Sequence, residues 1–357
     1  MNKVKRWIKT EIQEMQAYHV PGVKGMIKLD AMENPYLWPD GLKQRWLSEL
    51  ASVEVNRYPD PNAIELKERL REVLDIPDSM SIMLGNGSDE LIQIIALAMS
   101  QGDRTFLTVE PGFVMYRAIT VATGAHFEGV PLDTEEFTLD RNAILAAIEK
   151  YDPAIVFLAY PNNPTGNMFD EKVIVDVIRA APGLVVLDEA YYAFSGQSFM
   201  AHLGELDNLL LMRTLSKSGL AGLRLGVLIG SNDWLGELEK LRLPYNINSL
   251  SQKTAEFILS HHELLEEQAR QICDSRDALF DQLSNLDGIK TWPSAANFIL
   301  FRSLKIKANV IYSNLEQQGI LIKNLHGSYP SLEQCLRVTV GTEDENALFI
   351  EALSKSF

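Results

Sequence analysis

Between about residue 62 and residue 230 the chain repeats one pattern: a short apolar run, a polar or glycine-bearing loop, then a longer amphipathic stretch. The runs SIML, TFLTV, AIVFLA, GLVVLDEA, NLLLMRT and LGVLIG are each rich in Val, Ile, Leu or Phe, and their apolarity is nearly continuous rather than alternating. A strand can bury both faces only when helices cover both sides of its sheet, so the pattern predicts a mostly parallel sheet sandwiched between helices, an α/β fold. It also predicts where a ligand goes. Open sheets of this kind bind at the carboxyl ends of their strands, so the loops that follow the apolar runs are the place to look for chemistry.

The rest of the chain has a different grain. Val4, Trp7, Ile8, Ile12 and Met15 recur at helical spacing over residues 3–17, ahead of an irregular arm that starts at His19-Val20-Pro21-Gly22. Residues 232–285 are long, charged and helical, and after residue 286 the runs GIKTW, NFILFR, ILIKN and CLRVTVG alternate with helical segments near 306–318 and 343–355. The expected division is an N-terminal helix and arm over 1–40, a large domain over 41–245, and a small α+β C-terminal domain over 246–357 entered through a linker helix at about 246–285. A chain of 357 residues, 46% of them hydrophobic, can fill two cores. No internal repeat or low-complexity tract interrupts it.

A formal net charge of −15 argues against a nucleic-acid or anionic-membrane surface, because both would repel the chain at long range. Any anion it binds must therefore meet a local cationic pocket. Cys273 and Cys335 lack the paired spacing of a metal knuckle or a redox dithiol, so no metal site is expected and the usage fits a reducing cytoplasm. With no apolar leader at the start and no stretch of about 18 apolar residues, a soluble, unexported protein is expected.

Four loops carry candidate chemistry. The run SKSGLAGLRLG follows NLLLMRT; its glycines let the backbone approach a ligand closely and bring Ser216 and Arg224 within reach of a phosphate. Lys217 lies in it, although a lysine is by default a solvated surface group. Gly85-Asn86-Gly87-Ser88-Asp89-Glu90 follows a strand and opens the apolar helix LIQIIALAM, with Ser88 the expected N-cap. Backbone N–H groups at a helix start bind phosphate, although a merely well-capped helix would read the same. Tyr160-Pro161-Asn162-Asn163-Pro164-Thr165-Gly166 follows the strand over 155–159 and offers the Asn163 amide to the crevice, or else forms a plain rigid turn. Asp188-Glu189-Ala190-Tyr191 ends an apolar strand with a carboxylate. Once buried, Asp188 needs a cationic partner, and either a pyridinium nitrogen or an arginine would serve.

Taken together, Tyr58-Pro59-Asp60, GNGSDE, NNPTG, DEAY, the TLSK lysine, GLAGLRLG and CLRVTVG resemble the histidinol-phosphate aminotransferases, within the fold-type I pyridoxal-phosphate-dependent transferases. The resemblance keeps one order from Glu33-Asn34-Pro35 to Arg337, with Asn163, Asp188 and Lys217 at intervals of 25 and 29 residues. It implies that Lys217 holds pyridoxal 5′-phosphate as a Schiff base, that Asp188 pairs with the ring nitrogen, and that Asn163 and Tyr191 bond the ring hydroxyl oxygen. It also implies that Ser88, Asp89, Ser216 and Arg224 hold the phosphate together with Tyr58 from the other subunit of a homodimer.

For the substrate, the resemblance implies that Arg337 grips an anionic end, that Tyr18 closes over it, and that Asn34 and Lys323 complete the site. The implied reaction is ping-pong transamination of histidinol phosphate with 2-oxoglutarate, giving imidazole-acetol phosphate and glutamate in histidine biosynthesis. An aromatic amino-acid aminotransferase and a threonine-phosphate decarboxylase share the same cofactor motifs and are the alternatives. A non-catalytic sensor of this fold would carry an appended DNA-binding domain, for which the length and charge leave no room. Three positions depart from the family pattern. Phe113 stands where a tyrosine usually stacks on the cofactor, and Lys323 stands where many members have arginine. The interval from Lys217 to Arg224 is seven residues, where some relatives have eight.

Overall fold

The computed structural model describes residues 3–17 and 25–356. Its strands are β1 (Ile27–Leu29), β2 (Ser81–Asn86), β3 (Thr105–Glu110), β4 (His126–Pro131), β5 (Ile155–Ala159), β6 (Leu184–Asp188), β7 (Leu209–Thr214), β8 (Leu225–Gly230), β9 (Ile289–Thr291), β10 (Phe298–Ser303), β11 (Ile320–Asn324) and β12 (Cys335–Thr339). Seven of them form one sheet in the order β2-β8-β7-β6-β5-β3-β4, in which β8 alone runs against the others.

Every residue of β5, β6, β7 and β8 is buried. Their continuous apolar runs divide by parity between two cores. Val156, Leu158, Val185, Leu187, Leu211 and Val227 enter one; Ile155, Phe157, Leu184, Val186, Leu210 and Leu228 enter the other. That is the two-sided burial the sequence pattern demands. The chain steps outward from β3 to β4, then returns past β3 to lay down β5, β6 and β7 on the other side, so the strand order reverses between β3 and β5. At such a reversal the loops splay apart and leave a crevice at the carboxyl ends.

The second sheet has the order β1-β11-β12-β10-β9, antiparallel except for the β1/β11 pair. It packs through Leu29, Phe298, Phe301, Ile322, Leu336 and Phe349. Its β1 comes from the N-terminal arm, which is then fixed by Met32 N–H donating to Thr339 Oγ1 (2.9 Å) and by Asn297 Nδ2 donating to the Met32 carbonyl (3.0 Å). Residues 30–34 are thereby held over the carboxyl ends of the large sheet.

Two helices expected to be continuous are broken. The segment 3–17 forms two short helices, Lys3–Trp7 and Thr10–Glu14, parted at Lys9, whose ψ of 141° is extended. Its apolar stripe, from Val4 to Met15, stays exposed, and helices this short gain too little from their own hydrogen bonds to propagate through the break. The expected linker helix is likewise two, Ser249–Leu259 and His262–Ser284, separated where His261 leaves helical geometry at φ −133°. Among the described residues no helix is long and apolar enough to cross a membrane.

Candidate active site

Ser88, Asp89, Phe113, Asn163, Asp188, Tyr191, Ser216, Lys217 and Arg224 line one pocket at the carboxyl ends of the large sheet, together with Met32 and Thr214. At one end, β2 passes into the helix Ser88–Met99. The N-cap is Gly87, at φ 82° and ψ 166°, and not Ser88, which is the first helical residue. The backbone conformation favours glycine there, and close contacts surround it. A Cβ on Gly87 would lie 2.5 Å from Arg224 Nη2, and one on Gly226 would lie 2.6 Å from the Gly87 carbonyl carbon. With glycine at the N-cap, no side chain caps the first N–H groups of the helix.

Glu90 turns back from this end, accepting from Asn86 N–H (2.6 Å) and Asn246 Nδ2 (2.7 Å), whereas Asp89 pairs with Arg224 at 3.3 Å. Ser216 closes the same end: its N–H donates to Thr214 Oγ1 (3.2 Å), whose hydroxyl donates back to Ser216 Oγ (2.9 Å). Helix-start N–H groups, two hydroxyls and a guanidinium converge as a phosphate requires.

Lys217 follows Ser216 in a wide π-type turn, Ser216–Leu220, in which Gly219 takes φ 117°. Its Nζ donates to the Ala31 carbonyl at 3.1 Å. Burial pushes the Lys217 amine down to about 8, and the positive charge of Arg337 adds to the effect. A buried lysine that sheds its proton near neutral pH can act both as a nucleophile and as a proton carrier.

Asp188 ends β6 and is 5% exposed. Burial pushes its carboxyl up to about 7, against the Tyr116 hydroxyl, which donates to Oδ2 at 2.8 Å, and the Ala190 N–H, which donates to Oδ1 at 3.1 Å. The next residue, Glu189, is the acid that an arginine neutralises. Arg213 Nε donates to Glu189 Oε2 at 2.9 Å, its guanidinium lies 3.9 Å from the centre of the Tyr192 ring, and Ser198 and the Phe199 N–H satisfy the remaining carboxylate sites. The two adjacent acids thus part company: Glu189 holds the structure together, and Asp188 faces the pocket with neutral donors as its described partners.

Arg213→Met, which strands Glu189 in the interior, is expected to cost about 3–5 kcal/mol of stability. Adding Glu189→Leu should restore most of it. Urea denaturation of the single and double variants measures both.

On the far side, Asn163 Nδ2 donates to the Tyr191 hydroxyl (3.0 Å), and Arg337 Nη1 donates to Asn163 Oδ1 (2.5 Å). Arg337, 7% exposed, also donates from Nη2 to the Asp30 carbonyl (3.0 Å), and its guanidinium lies over the Phe298 ring. Lys323 sits directly across from Arg337 in the β11/β12 pairing, so both cations emerge on one face.

Other expected residues lie elsewhere. Asn34 does not line the pocket; its Nδ2 donates to Gln268 Oε1 (2.9 Å) and the Ser218 carbonyl (3.3 Å), which ties the arm to the lysine turn. Tyr58 is 80% exposed and stacks on Tyr245 with ring centres 4.4 Å apart, away from the pocket of its own chain. Tyr18 lies outside the described residues. Tyr116 and Thr214 are additions that the sequence reading missed. Tyr116 follows Phe113 by three residues at a helix start, which signals only that the two rings meet; its bond to Asp188 had no local sign.

The donor set suits a phosphorylated pyridine. Gly87 and Gly226 let the Arg224 guanidinium and the start of the helix Ser88–Met99 come together, as a phosphate needs, and a buried acid without a cation among its described hydrogen-bond partners suits a protonated ring nitrogen.

Comparisons with known proteins give the family and the fold. The family model described as aminotransferase class I and II matches residues 24–353. The chain is 53% identical over 352 residues to histidinol-phosphate aminotransferase 2 of Nitrosococcus oceani, covering 99% of this chain and 98% of that one. It is 47% identical over 354 residues to histidinol-phosphate aminotransferase of Chromobacterium violaceum, covering 99% of both. In fold it is similar to the crystal structure of histidinol-phosphate aminotransferase from Sinorhizobium meliloti in complex with pyridoxal-5′-phosphate, with a TM-score of 0.86 at 23% identity, covering 98% of this chain and 97% of that one.

Proposed function

This chain belongs to the class I and II aminotransferase family, and from that membership we propose that it transaminates L-histidinol phosphate with 2-oxoglutarate, giving imidazole-acetol phosphate and glutamate in histidine biosynthesis. The observation that carries the substrate is the end-to-end likeness to proteins bearing that name. Pyridoxal 5′-phosphate is the cofactor, and when bound it supplies an electron sink for the pair left on the substrate α-carbon.

The chain's own residues do the rest. The start of the helix Ser88–Met99, with Ser88, Asp89, Ser216 and Arg224, would hold the phosphate. Phe113 would stack on the ring, keeping the aromatic surface of the usual tyrosine without its hydroxyl. Asn163 and Tyr191 would bond the ring hydroxyl oxygen, and Asp188 the ring nitrogen. Arg337 binds the anionic end of either substrate, since its planar fork accepts a phosphate or a carboxylate, and Lys323 adds charge beside it without fork geometry. Lys217 Nζ would take the proton released from the substrate α-carbon and hold it within the closed site. With the second substrate the same residues run the transfer in reverse, which gives ping-pong kinetics.

We assign residues 41–245 to a large cofactor domain and residues 246–357 to a small domain that supplies Arg337 and Lys323, with the arm, residues 1–40, contributing β1. The working form is a cytoplasmic homodimer in which the exposed Tyr58 reaches the phosphate in the neighbouring subunit.

Mixing holoenzyme with L-histidinol phosphate alone should convert the bound cofactor to its amine form in one turnover, and 2-oxoglutarate should reverse the spectral change. L-Histidinol, which has neither phosphate nor carboxylate, should react at least about 100-fold more slowly, because it leaves the anion-binding groups unpaired. Faster conversion by phenylalanine would move the assignment to aromatic amino acids, and carbon dioxide release from threonine phosphate would move it to decarboxylation.

A further inference from the structure

We infer that Tyr116 is a positioning residue for Asp188: its hydroxyl keeps that carboxylate ionised and oriented toward the ring nitrogen of the cofactor. The inference rests on the cofactor named above and goes beyond it by assigning a role to a residue outside the motifs that identify the family here.

Tyr116 is 1% exposed, and its hydroxyl donates to Asp188 Oδ2 at 2.8 Å. A phenol in a core needs such a partner, because an unbonded hydroxyl there is costly. Its ring is clamped from two sides. It lies parallel to Phe157, with centres 4.9 Å apart and planes 7° apart, and it meets the edge of Phe113 at 5.4 Å and 84°. The clamp fixes the hydroxyl on Asp188 and couples it to the residue proposed to stack on the cofactor.

The type of residue matters as much as its place. An arginine at this position would satisfy Asp188 outright and remove the need for a cationic ring nitrogen. A neutral donor stabilises the charged carboxylate while leaving its charge for the ligand. The groups around Asp188 make that support necessary. Asp89, on the helix Ser88–Met99, and Glu189, next along the chain, both disfavour a second negative charge, and Glu189 is itself neutralised by Arg213. Tyr191 also faces Asp188; burial pushes its hydroxyl upward, and the carboxylate adds to the effect. Against these and the burial stand the Tyr116 hydroxyl and the Ala190 N–H.

Tyr116→Phe keeps both ring contacts and removes one hydroxyl, so it isolates the hydrogen bond. Two ligands then separate positioning from packing: pyridoxal phosphate, and its analogue with CH in place of the ring nitrogen. The variant should bind pyridoxal phosphate about tenfold more weakly than the wild type, the size of one hydrogen bond to a charged group, and should bind the analogue as well as the wild type does. In the cofactor-free protein, infrared titration of the Asp188 carboxyl should shift upward by about one pH unit. Equal weakening for both ligands, or none for either, overturns the inference alone. Wild-type protein that takes up no pyridoxal phosphate overturns the functional reading as well.

Discussion

Lys217→Ala is expected to lower the rate of transamination by at least about 10³-fold while leaving the protein folded. Positioned proton transfer is worth about 10²–10⁴ by itself, and this side chain is also the proposed covalent anchor of the cofactor. Two features argue that the fold survives. The Nζ spends its described hydrogen bond on a carbonyl, that of Ala31, and removing a buried amine relieves the desolvation that lowers its proton affinity. Single-turnover absorbance with L-histidinol phosphate measures the loss, and thermal unfolding checks the fold. The wild-type amine has a matching signature. Because its pKa is lowered to about 8, the neutral and therefore nucleophilic form grows with pH up to that value. Uptake of pyridoxal phosphate by cofactor-free protein should rise about tenfold per pH unit below 8 and level off above it. A normal lysine would keep climbing to beyond pH 10.

What the sequence made legible was whatever depends on neighbours along the chain. Continuous runs such as IVFLA in β5 announce two-sided burial because each residue must find a core whichever way it points, and the loop after each run falls at the ligand-binding edge. Asp188 at the end of β6 and Asn163 after β5 were visible on those grounds. Contacts that join distant segments were not. The bond from Lys217 to Ala31 spans 186 residues, that from Arg337 to Asn163 spans 174, and that from Tyr116 to Asp188 spans 72. Local chemistry also misled. Ser88 is the better N-cap by preference, yet the chain enters the helix through φ 82° one residue earlier, where glycine is the residue that fits without strain. The helix expected over 3–17 has the right periodicity, but its apolar residues stay exposed, so packing does not correct its break at Lys9.

Asp188→Asn is expected to separate activity from stability in opposite directions. The amide has the shape of the carboxylate, and its one oxygen can accept from the Ala190 N–H while its NH2 donates to the Tyr116 hydroxyl, but it carries no charge with which to hold a proton on the ring nitrogen. Loss of one preorganised charge at a reacting centre should lower the transamination rate by about 10²–10³-fold, with Lys217 still able to anchor the cofactor. Stability of the cofactor-free protein should move the other way. Burial raises the Asp188 carboxyl to about 7 in the folded chain, well above the ordinary aspartate value, so the folded state binds this proton more tightly than the unfolded chain does. That linkage favours folding at low pH and is lost as pH rises from about 4 through 7. Above pH 7 the wild type therefore buries a charge that the asparagine variant does not. In urea at pH 8 the cofactor-free variant should unfold at higher denaturant than the wild type, and the gap should close toward pH 4. A variant that lost both activity and stability at pH 8 would mean that Asp188 is held for packing. One that gained stability while losing catalysis would show a carboxylate kept charged in the interior, at a cost to the fold, for the sake of its ligand.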